Sequence, residues 1–492
     1  MMRERTLRVL TVASEAVPFA KTGGLADVAG ALPAALTTLG CEVRCVMPRY
    51  RQIDREKFNL KRVVECEPRF FAGELVDREV WCVERSGVLW YFIDAPCYFD
   101  RDGLYTVDGE DYPDNLERFT FFAQEVLALI RHLDWQPDII HCHDWQTGLI
   151  PVYLKIPVSL ASIDTGDPFY RRIKTLFTIH NIAYQGLFPK EKLPLTGIGW
   201  KHFTFDKLEY WGKLNFLKAG LVFADKLNTV SKRYSEEIQT REFGRGMEGV
   251  LSWRSRDLTG ILNGIDPTVW NPASDEHLPA NFTVDHLRGK QTCKRALLKE
   301  HGLKARTGTP LIGMIGRLDA QKGLDLIEEA LPDIMRLGVQ MVILGTGAPE
   351  YHKMLEKAAQ AYPDQLAANL TFDNALAHRI EAGSDLFLMP SKFEPCGLNQ
   401  MYSLRYGAVP IVQATGGLAD TISDYDPKAK TGNGFSFTSY TAEALVGAVR
   451  RAVGLYPDRK AWLDLVRTGM KQDFSWKASA REYLALYRGI VG

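Results

Sequence analysis

Two cations five residues apart, Arg317 and Lys322, follow the apolar run 310–315 and could hold an anionic phosphate group. The arginine would act as a planar fork and the lysine as a point charge. Arg and Lys are more often solvated surface charges, so the pair needs further groups beside it to mean chemistry. Lys21, the stretch His141-Cys142-His143-Asp144-Trp145, His180, Glu394 and Thr415 each fall just beyond an apolar run as well. In an open α/β sheet, ligands gather outside the carboxyl ends of the strands, so residues that recur there are candidates for one site. Thr415, Gly416 and Gly417 would add backbone N–H donors at a helix start, which favours a phosphate without a metal ion. His141 and His143 alternate at one strand end with no CxxC partner, a weak ligand set for zinc. No acidic cluster takes its place, and the metal expectation is none.

The elements that must position these residues can be read from apolar runs and turn formers. Leu7 to Ala13 reads as a buried parallel strand, followed by a loop with Lys21, Gly23 and Gly24 and a helix over about 27–39. Further strands are predicted at 42–47, 138–141, 174–179 and 225–230. A fresh series starts at 310–315 and continues at 340–344, 386–389 and 409–412. This is two runs of strand and helix alternation, hence two doubly wound domains with a junction near residues 260–266. The segment TGGLAD occurs twice, at 22–27 and 415–420, each time after a predicted strand. Two readings are open for it: a glycine loop presented to a common ligand, or a recurrent tight turn.

A chain of 492 residues is too long for one hydrophobic core, which agrees with two domains. Lys plus Arg (60) balance Asp plus Glu (60), leaving no excess positive field to hold a nucleic acid, so a neutral partner fits better. The eight cysteines lack paired spacing and read as free thiols of a reducing compartment. The first apolar run is too short for a signal or spanning segment, so the expectation is a cytoplasmic protein with no membrane contact.

Eight motifs in order carry a resemblance: KTGGLADV at 21, HCHDWQTG at 141, TIHNIAYQG at 178, EFGRGMEGVL at 242, ILNGID at 261, GRLDAQKGLDL at 316, MPSKFEPCGLNQ at 389 and TGGLADT at 415. Together they resemble the bacterial glycogen and starch synthases of the ADP-glucose type, glycosyltransferase family 5. The resemblance implies an α/β fold of GT-B type, two Rossmann-like domains facing each other across a deep cleft; since the residues it assigns to the donor come from both halves of the chain, the two domains are expected to close on the donor. It implies an N-terminal starch synthase catalytic domain over 1–259 on the acceptor side and a nucleotide-sugar-binding domain over 260–474. A C-terminal helix over 475–492 would cross back to the first domain. The implied activity is retaining transfer of glucose from ADP-glucose to the non-reducing end of an α-1,4-glucan, elongating glycogen, with no cofactor.

Carried over residue by residue, the resemblance makes His180, Arg317, Lys322 and Glu394 catalytic. It assigns donor binding to Lys21, Gly23, Gly24, Asp27, Asn263, Phe372, Cys396, Gly397, Leu398, Thr415, Gly416 and Gly417. Tyr105, Asp144, Trp145 and Glu248 would meet the acceptor. His180 would act through its ring or its backbone carbonyl, while outside this motif a structural histidine is the commoner reading. Phe372 is either a base-stacking ring or core, Trp145 an acceptor contact or core, and Cys396 more simply a packed thiol. Two positions depart from the wider pattern: Tyr402 stands where a second glutamate is frequent, and Lys392 where arginine is commoner. Competing readings are a catalytically silent glucan-binding protein on the same fold, a transferase using UDP-glucose, a sucrose-linked synthase, or a sugar-nucleotide epimerase.

Overall fold

Strands covered on both faces need apolar side chains at successive positions, and the apolar runs of this chain form such strands. The computed structural model describes residues 5–492, so the first four residues of the expected 1–259 domain lie outside it. The chain divides into two units. The first comprises the described residues up to Val230 with Ser235–Ile261 and Trp476–Gly492; the second comprises Ser231–Tyr234 with Leu262–Ser475.

The sheet of the first unit has nine strands, in the order Leu258–Gly260, Lys226–Thr229, Lys174–Ile179, Ile139–His143, Arg8–Val12, Glu42–Pro48, Val88–Asp94, Glu74–Arg85 and Lys61–Phe71. Pairing is parallel as far as Val88–Asp94, and the last two strands run antiparallel. Strand order reverses between Arg8–Val12 and Ile139–His143, where Val9 pairs with Ile139. Such a switch point leaves a crevice at the carboxyl ends of the two strands.

The second unit holds six parallel strands in the order Leu366–Asn369, Gln340–Leu344, Leu311–Ile315, Leu386–Met389, Val409–Gln413 and Phe435–Phe437. Its switch point lies between Leu311–Ile315 and Leu386–Met389. Ile312, Met341, Ile343 and Leu388 are buried against the apolar face of the helix Leu324–Arg336, where Leu324, Ile327, Leu331 and Ile334 supply the stripe.

The α/β class and the parallel strands read from the sequence are present. The first helix runs Gly24–Thr38, starting before the expected residue 27, and the chain turns away at Gly40 with φ +91°. The C-terminal helix is Trp476–Val491. Among the described residues no helix is long and apolar enough to cross a membrane.

Candidate active site

Around the first switch point, the loop after Arg8–Val12 carries Glu15, Lys21, Thr22 and Gly23 into the helix Gly24–Thr38. Lys21 Nζ donates to both carboxylate oxygens of Asp27, at 2.7 and 2.8 Å. Glu15 is buried and accepts from the Thr22 backbone N–H and from Thr22 Oγ1, the latter at 2.8 Å. Burial outweighs these bonds and pushes the Glu15 carboxyl up to about 7. Gly23 is extended and Gly24 begins the helix, so neither is demanded by a left-handed backbone. Tyr105 is half-buried and shares a 2.7 Å hydrogen bond with Ser14 Oγ.

Across the switch point the strand Ile139–His143 ends in Asp144, whose φ of +56° with ψ of −177° is nearly confined to glycine. Strain of about 1–3 kcal/mol at such a position persists only where the surroundings enforce it. Here the enforcing contact is the carboxyl itself: Asp144 Oδ1 accepts from the His180 N–H at 2.7 Å. Burial pushes the Asp144 carboxyl up to about 8 and the His180 ring down to about 3, so the imidazole is neutral at pH 7. His180 Nε2 and His143 Nδ1 are 2.9 Å apart, and His141 stacks on His143 with ring centroids 4.0 Å apart.

Trp145 is only 8% exposed, packed edge-on by Phe119 and covered by Gly186, whose φ is +62° and whose Cβ would lie 2.5 Å from the indole. Its remaining surface joins Tyr184, Phe188 and Tyr210 in lining a cavity of about 370 Å³ within the first unit. Glu248 stands in the first turn of Glu248–Trp253, and its Oε2 is buried without a hydrogen-bond partner.

At the second switch point Lys322 Nζ donates to Glu394 Oε2 at 2.5 Å, and Ser391 Oγ donates to the same oxygen at 3.0 Å. Arg317 reaches Asp319 at 3.7 Å and Gln321 Oε1 at 3.3 Å, with its side chain 56% exposed. Asn399 Nδ2 donates to the Ile315 carbonyl at 2.8 Å, tying the turn after Gly397, φ +71°, to the strand. A Cβ at Gly416 would lie 1.9 Å from the Glu394 carbonyl oxygen, and one at Gly417 would lie 2.0 Å from that of Cys396.

That close approach corrects one detail of the sequence reading. The Thr415 amide donates to Gln413 and the Gly417 amide to the Glu394 and Pro395 carbonyls, so these two N–H groups are already committed. The two glycines let two loops touch and so position Glu394. Cys396 is buried and its thiol is pushed up to about 12 by that burial, the behaviour of a packed neutral thiol. Asn263 is buried beside it, and its Oδ1 has no partner. Phe372 is 85% exposed, which removes the core reading and leaves an accessible ring. Leu398 precedes the helix Asn399–Arg405. Tyr402 stacks on Trp270 at 3.9 Å, and Trp270 stacks on His378, so an aromatic pack occupies the departure from the two-glutamate pattern.

The structure thus gathers Lys21, Gly23, Gly24, Asp27, Tyr105, Asp144 and His180 at one switch point. It gathers Asn263, Arg317, Lys322, Glu394, Cys396, Gly397, Leu398 and Thr415–Gly417 at the other. Among the described residues no group of three or more His, Cys, Asp or Glu could hold a metal ion, and all eight cysteines are free. Sequence reasoning missed Glu15 and Ser391, although a glutamate in the otherwise uncharged segment 12–20 was a visible signal. It also missed Tyr483 and Tyr487. Tyr483 OH donates to Asn228 Oδ1 at 2.9 Å, and Tyr487 OH lies 2.8 Å from His141 Nδ1, so the C-terminal helix braces the strand ends.

Glu15 gives a testable pH dependence. Its folded pKa lies above the ordinary 4.5, so the native state binds the proton more tightly than the unfolded chain. The resulting stability, on the order of 3 kcal/mol, is fully present below pH about 4.5 and is lost as pH rises to about 7. Glu15→Gln is therefore expected to gain in Tm relative to the unaltered protein between pH 5 and 7.5. A Tm difference that stays constant across that interval contradicts the assignment.

Two family models match the chain: the starch synthase catalytic domain over residues 8–253 and the group 1 glycosyl transferases over 299–464. The glycogen synthase of Anaeromyxobacter dehalogenans strain 2CP-C is 50% identical over 486 residues, 99% of this chain and 100% of its own. That of Koribacter versatilis strain Ellin345 is 47% identical over 484 residues, 98% of each. Among solved structures, the catalytic domain of starch synthase IV from Arabidopsis thaliana, bound to ADP and acarbose, has a TM-score of 0.89. It is 35% identical, with 99% of this chain and 100% of that chain covered.

Proposed function

The chain belongs to the glycogen and starch synthase family, and from that premise we propose that it elongates glycogen by transferring glucose, with retention, from ADP-glucose to the non-reducing end of an α-1,4-glucan. The observation that carries this reading is identity running the full length of curated glycogen synthases. The fold is the two-domain GT-B arrangement.

Transfer breaks the bond from the anomeric carbon to the phosphate oxygen, whose electron pair leaves with ADP. The acceptor 4-hydroxyl oxygen bonds to the same carbon, and its proton passes to a phosphate oxygen. Negative charge grows on the diphosphate and positive charge on the sugar, so electrostatic stabilisation is the main term. Arg317 and Lys322 meet the diphosphate. An ammonium has three donors, so Lys322 can hold a phosphate oxygen while it keeps Glu394. Glu394 takes a glucose hydroxyl, and its geometry is thereby linked to the leaving group. His180, neutral at pH 7, offers its ring or backbone carbonyl to the glucose. Lys21 and Asp27 extend the donor contacts, with Phe372 as the stacking ring for adenine. Tyr105, Asp144, Trp145 and Glu248 serve the acceptor. Neither unit carries all of these groups, so both are required for turnover.

The reaction as proposed needs no metal, because fixed cations face the phosphates, and the enzyme works in the cytoplasm without membrane or nucleic acid. Glucose incorporation into glycogen from labelled ADP-glucose and UDP-glucose, each with and without EDTA, tests the reading. Incorporation from ADP-glucose that survives EDTA is expected. Preference for UDP-glucose would overturn the donor assignment, and loss on EDTA restored by Mg²⁺ would overturn metal independence. No incorporation from either donor would mark a silent glucan-binding protein.

A further inference from the structure

The rings of His143 and His180 share one hydrogen bond, and a single proton must lie on it. If His180 Nε2–H donates, His143 Nδ1 accepts and the His143 proton sits on its Nε2. That nitrogen is buried and has no partner, so an N–H would be stranded there. If His143 Nδ1–H donates instead, only a lone pair is left at Nε2. Orphaned buried N–H groups are rarer in proteins than under-satisfied acceptors, which selects the second arrangement. A doubly protonated His143 is opposed by burial and by His141 and His180.

The neighbouring histidine cannot turn to relieve this. Asn228 Nδ2 donates to the Thr229 and Thr259 carbonyls at 3.1 and 2.9 Å, so its Oδ1 accepts from Thr178 Oγ1 at 3.0 Å. The Thr178 proton being committed, His141 Nε2–H donates to Thr178 Oγ1 at 2.6 Å and His141 Nδ1 accepts from Tyr487 OH. His141 is therefore locked from both ends and only stacks on His143.

We propose that His143 is a positioning residue: its Nδ1–H holds His180 in the tautomer protonated on Nδ1, so that the His180 ring meets the donor substrate as a hydrogen-bond donor. His180 Nδ1 has no partner among the described residues, and the residue keeps 8% of its surface exposed. This rests on the proposed transferase reading, within which an N–H at that point suits a glucose hydroxyl or phosphate oxygen.

The test has two arms. In protein labelled with ¹⁵N at histidine, the His180 signals should show Nδ1 protonated and Nε2 bare; a protonated Nε2 overturns the proposal. This spectrum is read on the resting protein, so it stands apart from whether the transferase reading holds, which the incorporation assay decides on the unaltered enzyme. The second arm is an isosteric pair. His143→Asn keeps an N–H close to the ring Nδ1 and is expected to retain kcat within about threefold. His143→Asp puts an acceptor there, inverts the His180 tautomer and should lower kcat at least about a hundredfold with little change in KM for glycogen. Equal kcat values in the two variants would overturn the proposal.

Discussion

Replacing Lys322 or Arg317 by alanine is expected to lower kcat at least about a hundredfold, equivalent to roughly 3 kcal/mol of transition-state stabilisation. The Lys322 change acts twice. It removes a cation from the departing diphosphate, and it strands Glu394, a buried carboxylate whose Oε2 is held by Lys322 at 2.5 Å and by Ser391. Lys322→Arg should rescue poorly, because a planar fork does not replace a compact ammonium at so short a contact. Arg317 is more exposed, with 56% of its side-chain surface in solvent, so its loss should show in kcat with little change in Tm. Steady-state kinetics with ADP-glucose check both variants, and near-normal turnover in both contradicts the assignment of the diphosphate to this turn.

Gly417→Ala should impair the enzyme as strongly through geometry alone. The added Cβ would lie 2.0 Å from the Cys396 carbonyl oxygen and 2.6 Å from its Cα, a contact that only backbone movement relieves. The segment that moves carries Glu394, so kcat/KM for ADP-glucose is expected to fall at least about a hundredfold, with a stability loss on the order of 2 kcal/mol. Gly447→Ala provides the control: it lies in the helix Ala442–Leu455, where an added Cβ meets nothing within 4 Å. That variant should keep its activity and gain up to about 1 kcal/mol from helix propensity. Equal behaviour of the two variants in kinetics and thermal melts contradicts the role given to the Gly417 contact.

The strands around both switch points were legible because strands buried on both faces read as unbroken apolar runs. The antiparallel strands Lys61–Phe71 and Glu74–Arg85 were not, since an edge hairpin with mixed burial interleaves charge with apolar residues and matches no such run. Arg317, Lys322, Glu394 and His180 stand just past their strands, where the chain itself advertises a site. The roles of Glu15 and His143 were hidden for a different reason. Glu15 matters because burial raises its carboxyl, and burial is a tertiary property. His143 appeared in the sequence only as half of a weak zinc pair, and its pairing with His180 depends on two strands meeting. The Tyr487 contact to His141 spans 346 positions and left no local trace. Trp145 and Phe372 were each balanced between core and ligand contact. One proves mostly packed, the other exposed, because a ring's type does not reveal which side of the sheet or loop it occupies.

Retaining transfer to the chain end leaves its signature in the product. The enzyme is incubated with ¹³C-labelled ADP-glucose and a short α-1,4-linked oligosaccharide, and the product is read by mass and by the NMR coupling at the new anomeric carbon. The acceptor is expected to grow by glucose units at its non-reducing end, each new linkage α-1,4, with one ADP released for each unit added. A β linkage, or ADP release matched by free glucose with no longer chain, would contradict it.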